Sequence, residues 1–270
     1  MGDSSNGVAM AAADHWAAVL DTGGTAPSRL GETVIVRLSE AILEGKLKPG
    51  DALPSEGRIA AAFGVSKPIA REALRDLAAM GVVQVAQGKI SRVRAIDSAP
   101  LARFFRFAVA GTARGLREAV ELRRMLEPPV ARHAAKRRDA ADLQVLRELL
   151  ERMEAALGDV SRWIEADLAF HASIGHASHN ALVTLQLQGL EPIVREMMGR
   201  FNARGRRTAK DWRETFERHR RVALAIVAGD AEGAEKAMQA HFAAADNAIE
   251  EIFGPDNKAA TKKRASTREI

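Results

Sequence analysis

Residues 45–77 read GKLKPGDALPSEGRIAAAFGVSKPIAREALRDL, and they carry the clearest structural signals in the chain. Ser55 predicts the N-cap of a short helix, because its hydroxyl can accept a hydrogen bond from a free amide of the first turn. Gly64 predicts the end of that helix. Ser66 predicts the N-cap of the next helix, which Gly81 closes. The segment therefore predicts two helices joined by a tight turn.

Two flanking segments extend this unit. Apolar residues recur every three to four positions over residues 30–42, which predicts a further helix upstream. Downstream, Val82–Ala86 and Ile90–Ala95 are expected to form two short strands joined by a tight turn that contains glycine. Three helices followed by a small hairpin form a winged helix-turn-helix, which we expect over residues 29–95.

The remainder of the chain reads as helix, with no alternation of the kind found in strands. Six or seven helices of this length predict an all-α helical bundle, and the predicted fold class of the whole chain is mainly α. We expect a linker and first helix over residues 96–114, the bundle over 115–254, a disordered N-terminus over 1–28 and a disordered basic tail over 255–270.

The composition restricts the possible functions. No segment approaches the roughly 18 uninterrupted apolar residues of a membrane span, and the N-terminus lacks the pattern of a signal peptide. A cytoplasmic protein without a membrane partner is expected. The chain has no cysteine, so a metal would have to bind to histidine and carboxylate groups. The net charge of +5 is compatible with a nucleic-acid partner but does not establish one.

The predicted third helix has a basic face. Lys67, Arg71 and Arg75 are spaced i, i+4 and i+8, opposite the apolar positions. An α-helix fits the major groove of DNA, so this face is a candidate for reading base edges. Lys89 and Arg92 of the predicted hairpin, with the amide of Gly88 beside them, could meet the neighbouring minor groove or phosphates. The alternative is an ordinary solvated face, since exposed charged faces are common.

Three motifs of this region occur together. They are GKLKPGDALPSE at 45–56, FGVSK at 63–67 and REAL at 71–74. In combination they closely resemble the GntR family of bacterial transcription regulators, over residues 34–94. The resemblance implies a DNA-binding protein, and we expect a homodimer on double-stranded operator DNA because a single short helix gives too little interface for specific binding.

The resemblance also implies which residues contact DNA. In the family the positions matching Lys67 and Arg71 contact the operator, and those matching residues 87–89 form the tip of the wing. Gly57 stands where members often have arginine, with Arg58 one position later, and Pro68 replaces a common threonine. The candidate DNA-binding residues are Arg58, Ser66, Lys67, Arg71, Arg75, Gln87, Gly88 and Lys89.

Four candidate metal ligands lie on apolar faces of the predicted bundle. Asp167 and His171 are spaced i, i+4 and project from one helix face, whereas His219 and His241 belong to two further helices. A single buried histidine is usually a hydrogen-bonded core residue. Four buried titratable groups, however, are costly unless they neutralise one another or share a cation. The set suits Zn²⁺, Ni²⁺ or Mn²⁺.

The bundle resembles the helical effector-binding domain of the FadR subfamily of GntR regulators, over residues 116–252. The resemblance is carried by ELR at 121–123, LEP at 126–128 and DLAFH at 167–171, and by His219 and His241. In metal-containing members of the subfamily, the four positions just described bind the ion. A small organic or sugar acid completes the coordination.

Arg123 matches a position that can face the carboxylate of the effector. An ion pair with Glu127 at i+4 is an equally good explanation of this arginine.

Three functional hypotheses follow. The first is a repressor in which a small carboxylate effector favours an arrangement of helices that no longer fits two successive major grooves. The second is a metal-dependent hydrolase or lyase, which leaves the N-terminal segment unexplained. The third is an adaptor whose metal is purely structural.

Overall fold

The computed structural model describes residues 30–85, 90–109, 112–204 and 207–253, and the side chains of Leu30, Ala113, Arg204 and residues 245–253 are not included in this description. Within these ranges the chain forms ten helices and one antiparallel pair of short strands, which confirms the predicted mainly α class. The chain divides into two compact units between Pro100 and Leu101. No helix in the described ranges is long and apolar enough to cross a membrane.

The N-terminal unit has the order helix, helix, helix, strand, strand. Its elements are α1 (Leu30–Leu43), α2 (Glu56–Phe63), α3 (Lys67–Ala79), β1 (Val83–Gln84) and β2 (Arg92–Val93). The strands pair in antiparallel register, with Val83 opposite Val93 and Gln84 opposite Arg92. They are shorter than the sequence predicted, and the predicted turn between them lies outside the described residues.

Local chemistry explains the ends of α2 and the start of α3. The hydroxyl of Ser55 accepts a hydrogen bond from the backbone N–H of Arg58 at 3.3 Å and caps α2, as predicted. Gly64 ends α2 in the left-handed conformation, with φ of 63°. Ser66 is the N-cap residue of α3, but its side chain makes no capping hydrogen bond. Pro68, in the first turn of α3, contributes no N–H that this hydroxyl could accept.

A small apolar core holds this unit together. It is formed by the inward-facing residues of all five elements and of the loops between them. Its fully buried side chains include Val34, Leu38, Ile59, Phe63, Leu74, Leu77, Val83 and Val93. Because α3 contributes Ala70, Ala73, Leu74 and Leu77 to this core, its opposite face is left to solvent.

Helix α4 (Ala99–Val109) begins at the end of the N-terminal unit and has no fully buried residue. The C-terminal unit then continues as helix, again as predicted. Its elements are α5 (Ala113–Arg137), α6 (Ala140–Ala155), α7 (Val160–Ala177), α8 (Ala181–Arg204), α9 (Ala209–Ala228) and α10 (Ala231–Phe253).

Capping residues set several helix boundaries of the C-terminal unit. Asp139 and Asp142 form a capping box at the start of α6, and Asp159 caps α7 through the backbone N–H of Arg162. Gly229 ends α9 with φ of 75°. Each cap satisfies backbone groups that the helix itself leaves without partners.

Helix α7 lies at the centre of the C-terminal unit. It packs against α5, α6 and α8, and most of its residues are buried. Trp163, Phe170 and Ile174 of α7 are among the largest fully buried side chains of the protein. A helix that is apolar on nearly every side belongs in the interior. Polar residues on α7 therefore require partners inside the bundle.

Candidate metal centre and DNA-binding face

The four predicted metal ligands meet in the C-terminal unit. Asp167 and His171 extend from α7, His219 from α9 and His241 from α10, and all four side chains are at most 9% exposed. One ring nitrogen of each histidine lies within 4.8 Å of the others. Nε2 of His219 is 2.9 Å from Oδ1 of Asp167, and Nε2 of His171 is 3.9 Å from Oδ2. Three helices thus bring one carboxylate and three imidazoles to a single buried point.

The hydrogen bonds of His219 leave a lone pair facing a carboxylate. Nδ1 of His219 lies 2.8 Å from the backbone carbonyl of Thr215 and donates its proton to it. A neutral imidazole carries one N–H, so Nε2 then has no hydrogen. This nitrogen is buried and has no hydrogen-bond partner, although Asp167 is 2.9 Å away. Two electron-pair donors at this distance are stabilised by a cation between them, either a metal ion that both bind or a second proton on the ring of His219.

His241 provides a second buried nitrogen without a partner. Its Nδ1 makes no hydrogen bond. Burial, with the nearby His219 and His171, lowers the pKa of His241 well below its usual value. The ring is therefore neutral at pH 7, which is the form that binds metals. The unpartnered atoms of His219 and His241 show that the donor set fits a metal ion.

The carboxylate of Asp167 is charged in this setting. Burial alone would raise its pKa, but the imidazoles of His219 and His171 hold that pKa well below its usual range. A carboxylate with three imidazoles and no thiolate is a donor set for Zn²⁺ and for other borderline divalent ions.

Glu127 of α5 orients one of the histidines. Its buried carboxylate accepts hydrogen bonds from Nδ1 of His171 and from Nε of Arg123. Burial would raise the pKa of Glu127, but Arg123 and His171 together lower it. A carboxylate on the outer nitrogen of a ligating histidine fixes the ring and directs its other nitrogen inward. Sequence reasoning considered Glu127 only as a partner of Arg123 and missed this contact with His171.

A cavity of about 140 Å³ adjoins the four residues. Asp167, His171 and His241 line it together with Arg123. Arg123 forms the expected ion pair with Glu127 and also borders the cavity, so that its contact with an effector carboxylate stays a prediction. The remaining wall is mostly apolar and includes Trp163, Met197, Met198, Phe201 and Phe242.

Two further arginines line this cavity. Arg207 precedes α9 and Arg218 lies on it, and both extend toward Thr215. Neither was predicted as a site residue. The segment Arg218-His219-Arg220-Arg221 places three arginines around one histidine, and helical spacing alone does not show which of them borders a cavity.

The predicted basic face of α3 is exposed. Lys67, Arg71 and Arg75 are all on the surface of the N-terminal unit, as are Arg58 and Ser66. Gln87, Gly88 and Lys89 of the predicted wing lie outside the described residues.

Two arginines of this face are paired with glutamates. The guanidinium of Arg71 donates to Glu56 of α2, from Nε at 3.0 and 3.1 Å and from Nη2 at 2.8 Å. Arg75 pairs with Glu72 at 2.6 Å. The bidentate contact with Arg71 lowers the pKa of Glu56 and raises that of Arg71. Sequence reasoning missed the partnership between Glu56 and Arg71.

Lys67 of α3 passes close to the first turn of α2. A Cβ atom at position 57 would lie 3.3 Å from Cε of Lys67. Because Lys67 is exposed, a Cβ at this position would displace the end of its side chain by only a few tenths of an ångström.

Two family models match the chain in succession. The model of bacterial regulatory proteins of the gntR family matches residues 30–93, and the FCD domain model matches residues 118–244. The first range contains α1 to α3 and the basic face. The second contains Asp167, His171, His219 and His241, together with Arg123.

Relatives along most of the chain are bacterial regulators. The transcriptional regulator LutR of Bacillus subtilis is 31% identical over 220 residues, which cover 78% of this chain and 97% of that protein. The Glc operon transcriptional activator of Escherichia coli is 34% identical over 172 residues, covering 60% and 66% respectively. The putative L-lactate dehydrogenase operon regulatory protein of Escherichia coli is 29% identical over 220 residues, covering 80% and 84%.

A solved structure supports the fold. The Streptococcus agalactiae GntR structure has a TM-score of 0.60 at 24% identity, and the match covers 80% of this chain and 98% of that one. The family and these relatives are transcription regulators, so the alternative of a hydrolase or lyase is excluded. The chain belongs to the GntR family of bacterial transcription regulators, in the FadR subfamily whose members carry an FCD effector domain.

Proposed function

We propose that this protein is a metal-dependent repressor that acts as a homodimer in the bacterial cytoplasm. Its N-terminal unit binds double-stranded operator DNA, and its C-terminal unit binds a small organic or sugar acid through a divalent metal. The effector favours an arrangement of the dimer that no longer fits two successive major grooves.

The contact between His219 and Asp167 carries the metal part of the proposal. A nitrogen lone pair and a carboxylate oxygen face each other at 2.9 Å in a buried site. Asp167, His171, His219 and His241 would hold the ion, which is Zn²⁺, Ni²⁺ or Mn²⁺ by the chemistry of these ligands. When bound, the metal would supply a positive centre for carboxylate and hydroxyl oxygens of the effector.

The cavity limits the size of the effector. Its volume of about 140 Å³ is close to that of a roughly 150 Å³ protein cavity that binds benzene. An acid of about three or four carbon atoms fits this space. One of the relatives is named for an L-lactate dehydrogenase operon, which makes 2-hydroxy acids the first class to test. Arg123, held by Glu127 at the edge of the cavity, would face the carboxylate.

The exposed face of α3 would supply the operator contacts. Arg58, Ser66, Lys67, Arg71 and Arg75 are accessible on the N-terminal unit, and Gln87, Gly88 and Lys89 are proposed for the wing. The hydroxyl of Ser66 caps no backbone amide of α3 and is therefore available to a phosphate.

A thermal-shift screen tests the sensor. The purified protein is heated with L-lactate and with other small organic and sugar acids, with each metal and after chelation. We expect one class of acid to raise the Tm in the presence of metal only, because a ligand that binds the folded state stabilises it.

The variant His241→Ala should lose the response, while His133→Ala, which changes an exposed histidine of α5, should keep it. A Tm that no acid changes and that chelation does not lower would contradict the proposed sensor. A Tm that falls on chelation but responds to no acid would instead indicate a purely structural metal.

A further inference from the structure

Two arginines that line the cavity beside the metal ligands have no ion-pair partner among the described residues. Arg207 and Arg218 both line it, and neither has a carboxylate oxygen within 4.0 Å in the described part of the chain, although Asp211 and Glu214 act on them from a greater distance. Arg123, in contrast, is paired with Glu127. Burial lowers the pKa of both Arg207 and Arg218, which reflects the cost of holding these cations away from water. Such a cost is offset when an anion binds.

Thr215 holds the two guanidinium groups together. Its hydroxyl donates to the backbone carbonyl of Asp211 at 2.8 Å and accepts from Nη2 of Arg207 and from Nη2 of Arg218, at 2.5 and 2.9 Å. Arg207 also stacks over the ring of Trp212, 4.0 Å from its centroid. These contacts fix the two groups and use only one nitrogen of each. The remaining N–H groups of each guanidinium can bind another acceptor.

Asp167 is the one carboxylate among the described residues that line the cavity. Three guanidinium groups line the same space, and the carboxylates of Asp211 and Glu214 act on Arg207 and Arg218 only from beyond 4.0 Å. An effector with a second anionic group would place that group beside Arg207 and Arg218.

We propose that Arg207 and Arg218 form a second anion-binding subsite and that the effector of this protein is a small dicarboxylate. One carboxylate binds on the side of the metal and Arg123, and the other binds the guanidinium pair held by Thr215. The proposal rests on the proposed metal-dependent sensor and names the class of acid that the sensor prefers. Guanidinium groups suit this role because they bind a carboxylate through two parallel hydrogen bonds.

A matched pair of acids tests the subsite. L-malate is L-lactate with a second carboxylate in place of a methyl hydrogen, so both present the same hydroxyl and carboxylate to the metal. Binding to the metal-loaded full chain is measured by calorimetry. We expect L-malate to bind at least about tenfold more tightly than L-lactate, which is the size of effect expected for charge-assisted hydrogen bonds.

Substitution of Arg218 should remove this preference selectively. In Arg218→Gln, L-malate should bind no more than about twice as tightly as L-lactate, while the affinity for L-lactate stays within about twofold of the unchanged chain. Arg207→Gln provides a second variant of the pair. The control is Arg220→Gln, an exposed arginine of the same helix that pairs with Glu217 and should retain the full preference. The Tm without ligand verifies that each variant is folded.

The outcomes separate this proposal from the sensor itself. If L-lactate binds as tightly as L-malate to the unchanged chain, the dicarboxylate subsite is wrong and the metal-dependent sensor stands. An equal loss of affinity for both acids in a folded Arg218→Gln protein would also overturn the proposed subsite. If neither these acids nor any other binds to the metal-loaded chain, both proposals fail.

Discussion

The two functional regions use the same kind of contact in opposite environments. In the C-terminal unit, Asp167 faces His219 at 2.9 Å inside the bundle. In the N-terminal unit, Glu56 binds Arg71 at 2.8 to 3.1 Å on the surface. The buried carboxylate has little access to water, so a cation beside it stabilises its charge. The exposed pair is surrounded by water and can be opened by a competing anion such as a phosphate.

This difference shows how burial sets the role of a charged group. The cluster in the bundle is held by Glu127, Arg123 and the carbonyl of Thr215, so its geometry exists before any ligand arrives. On α3, Glu56 holds Arg71 at the surface, where a competing anion can reach its guanidinium. A buried site thus selects its ligand through a geometry that already exists, whereas charged groups on an exposed face can exchange one partner for another.

The largest effect is expected from Asp167→Asn, which removes the only carboxylate among the four ligands. Metal affinity should fall by more than the roughly 10- to 100-fold loss that is typical when a residue that hydrogen-bonds to a metal ligand is replaced. Titration of the apo protein with Zn²⁺ measures this. Glu165→Gln, an exposed change on the same helix, is the control and should bind Zn²⁺ normally. Equal metal affinity of Asp167→Asn and the unchanged protein would show that the buried carboxylate is not a ligand.

Glu127→Gln tests whether the carboxylate that binds Nδ1 of His171 contributes to metal binding. The amide cannot replace the charge that holds His171 and Arg123, so metal affinity should fall by about 10- to 100-fold. Chemical denaturation should also show lower stability, because Arg123 would be left buried beside a neutral group. Stability that falls without any change in metal affinity would assign Glu127 a structural role only.

Glu56→Gln is expected to have a smaller effect and to tighten the binding of DNA. Loss of the carboxylate frees the guanidinium of Arg71 and removes a negative charge near the DNA, so non-specific binding should tighten by a few-fold at low salt. The difference should shrink as salt rises. Glu40→Gln, an exposed glutamate of α1 that pairs with Arg37, is the control. Weaker binding by Glu56→Gln at every salt concentration would mean that Glu56 is needed to position Arg71.

The smallest expected change in stability is that of Ser66→Ala. Its hydroxyl caps nothing, so the free energy of unfolding should stay within about 0.5 kcal/mol of the unchanged protein. Ser55→Ala, by contrast, removes the cap on the N–H of Arg58 and should cost about 1 kcal/mol. Equal losses in the two variants would contradict this assignment. Operator affinity should fall in Ser66→Ala if the hydroxyl binds a phosphate.

Helical periodicity was sufficient to predict much of the site. Asp167, His171, His219 and His241 each fall on an apolar face of a helix, and the structure brings all four together. Buried polar groups need partners, so their side chains were expected to meet. A sequence can indicate this need without specifying how the helices are arranged.

Contacts between distant segments could not be predicted in this way. Glu127 reaches His171 across 44 positions, and Glu56 reaches Arg71 across 15, from helices whose relative placement the sequence pattern does not determine. Arg218 differs from its exposed neighbours Arg220 and Arg221 only in the direction in which α9 presents it. The strands were also expected to be longer, because composition indicates where strands occur more reliably than where their pairing ends.

Native mass spectrometry of the full chain, after exposure to Zn²⁺, Ni²⁺ or Mn²⁺ and removal of excess metal, tests the buried cluster most directly. We expect the mass of one divalent ion per chain, lost in His219→Ala and retained in His133→Ala. A chain that binds no ion, or an ion that remains in His219→Ala, would contradict a metal centre built on the contact between His219 and Asp167.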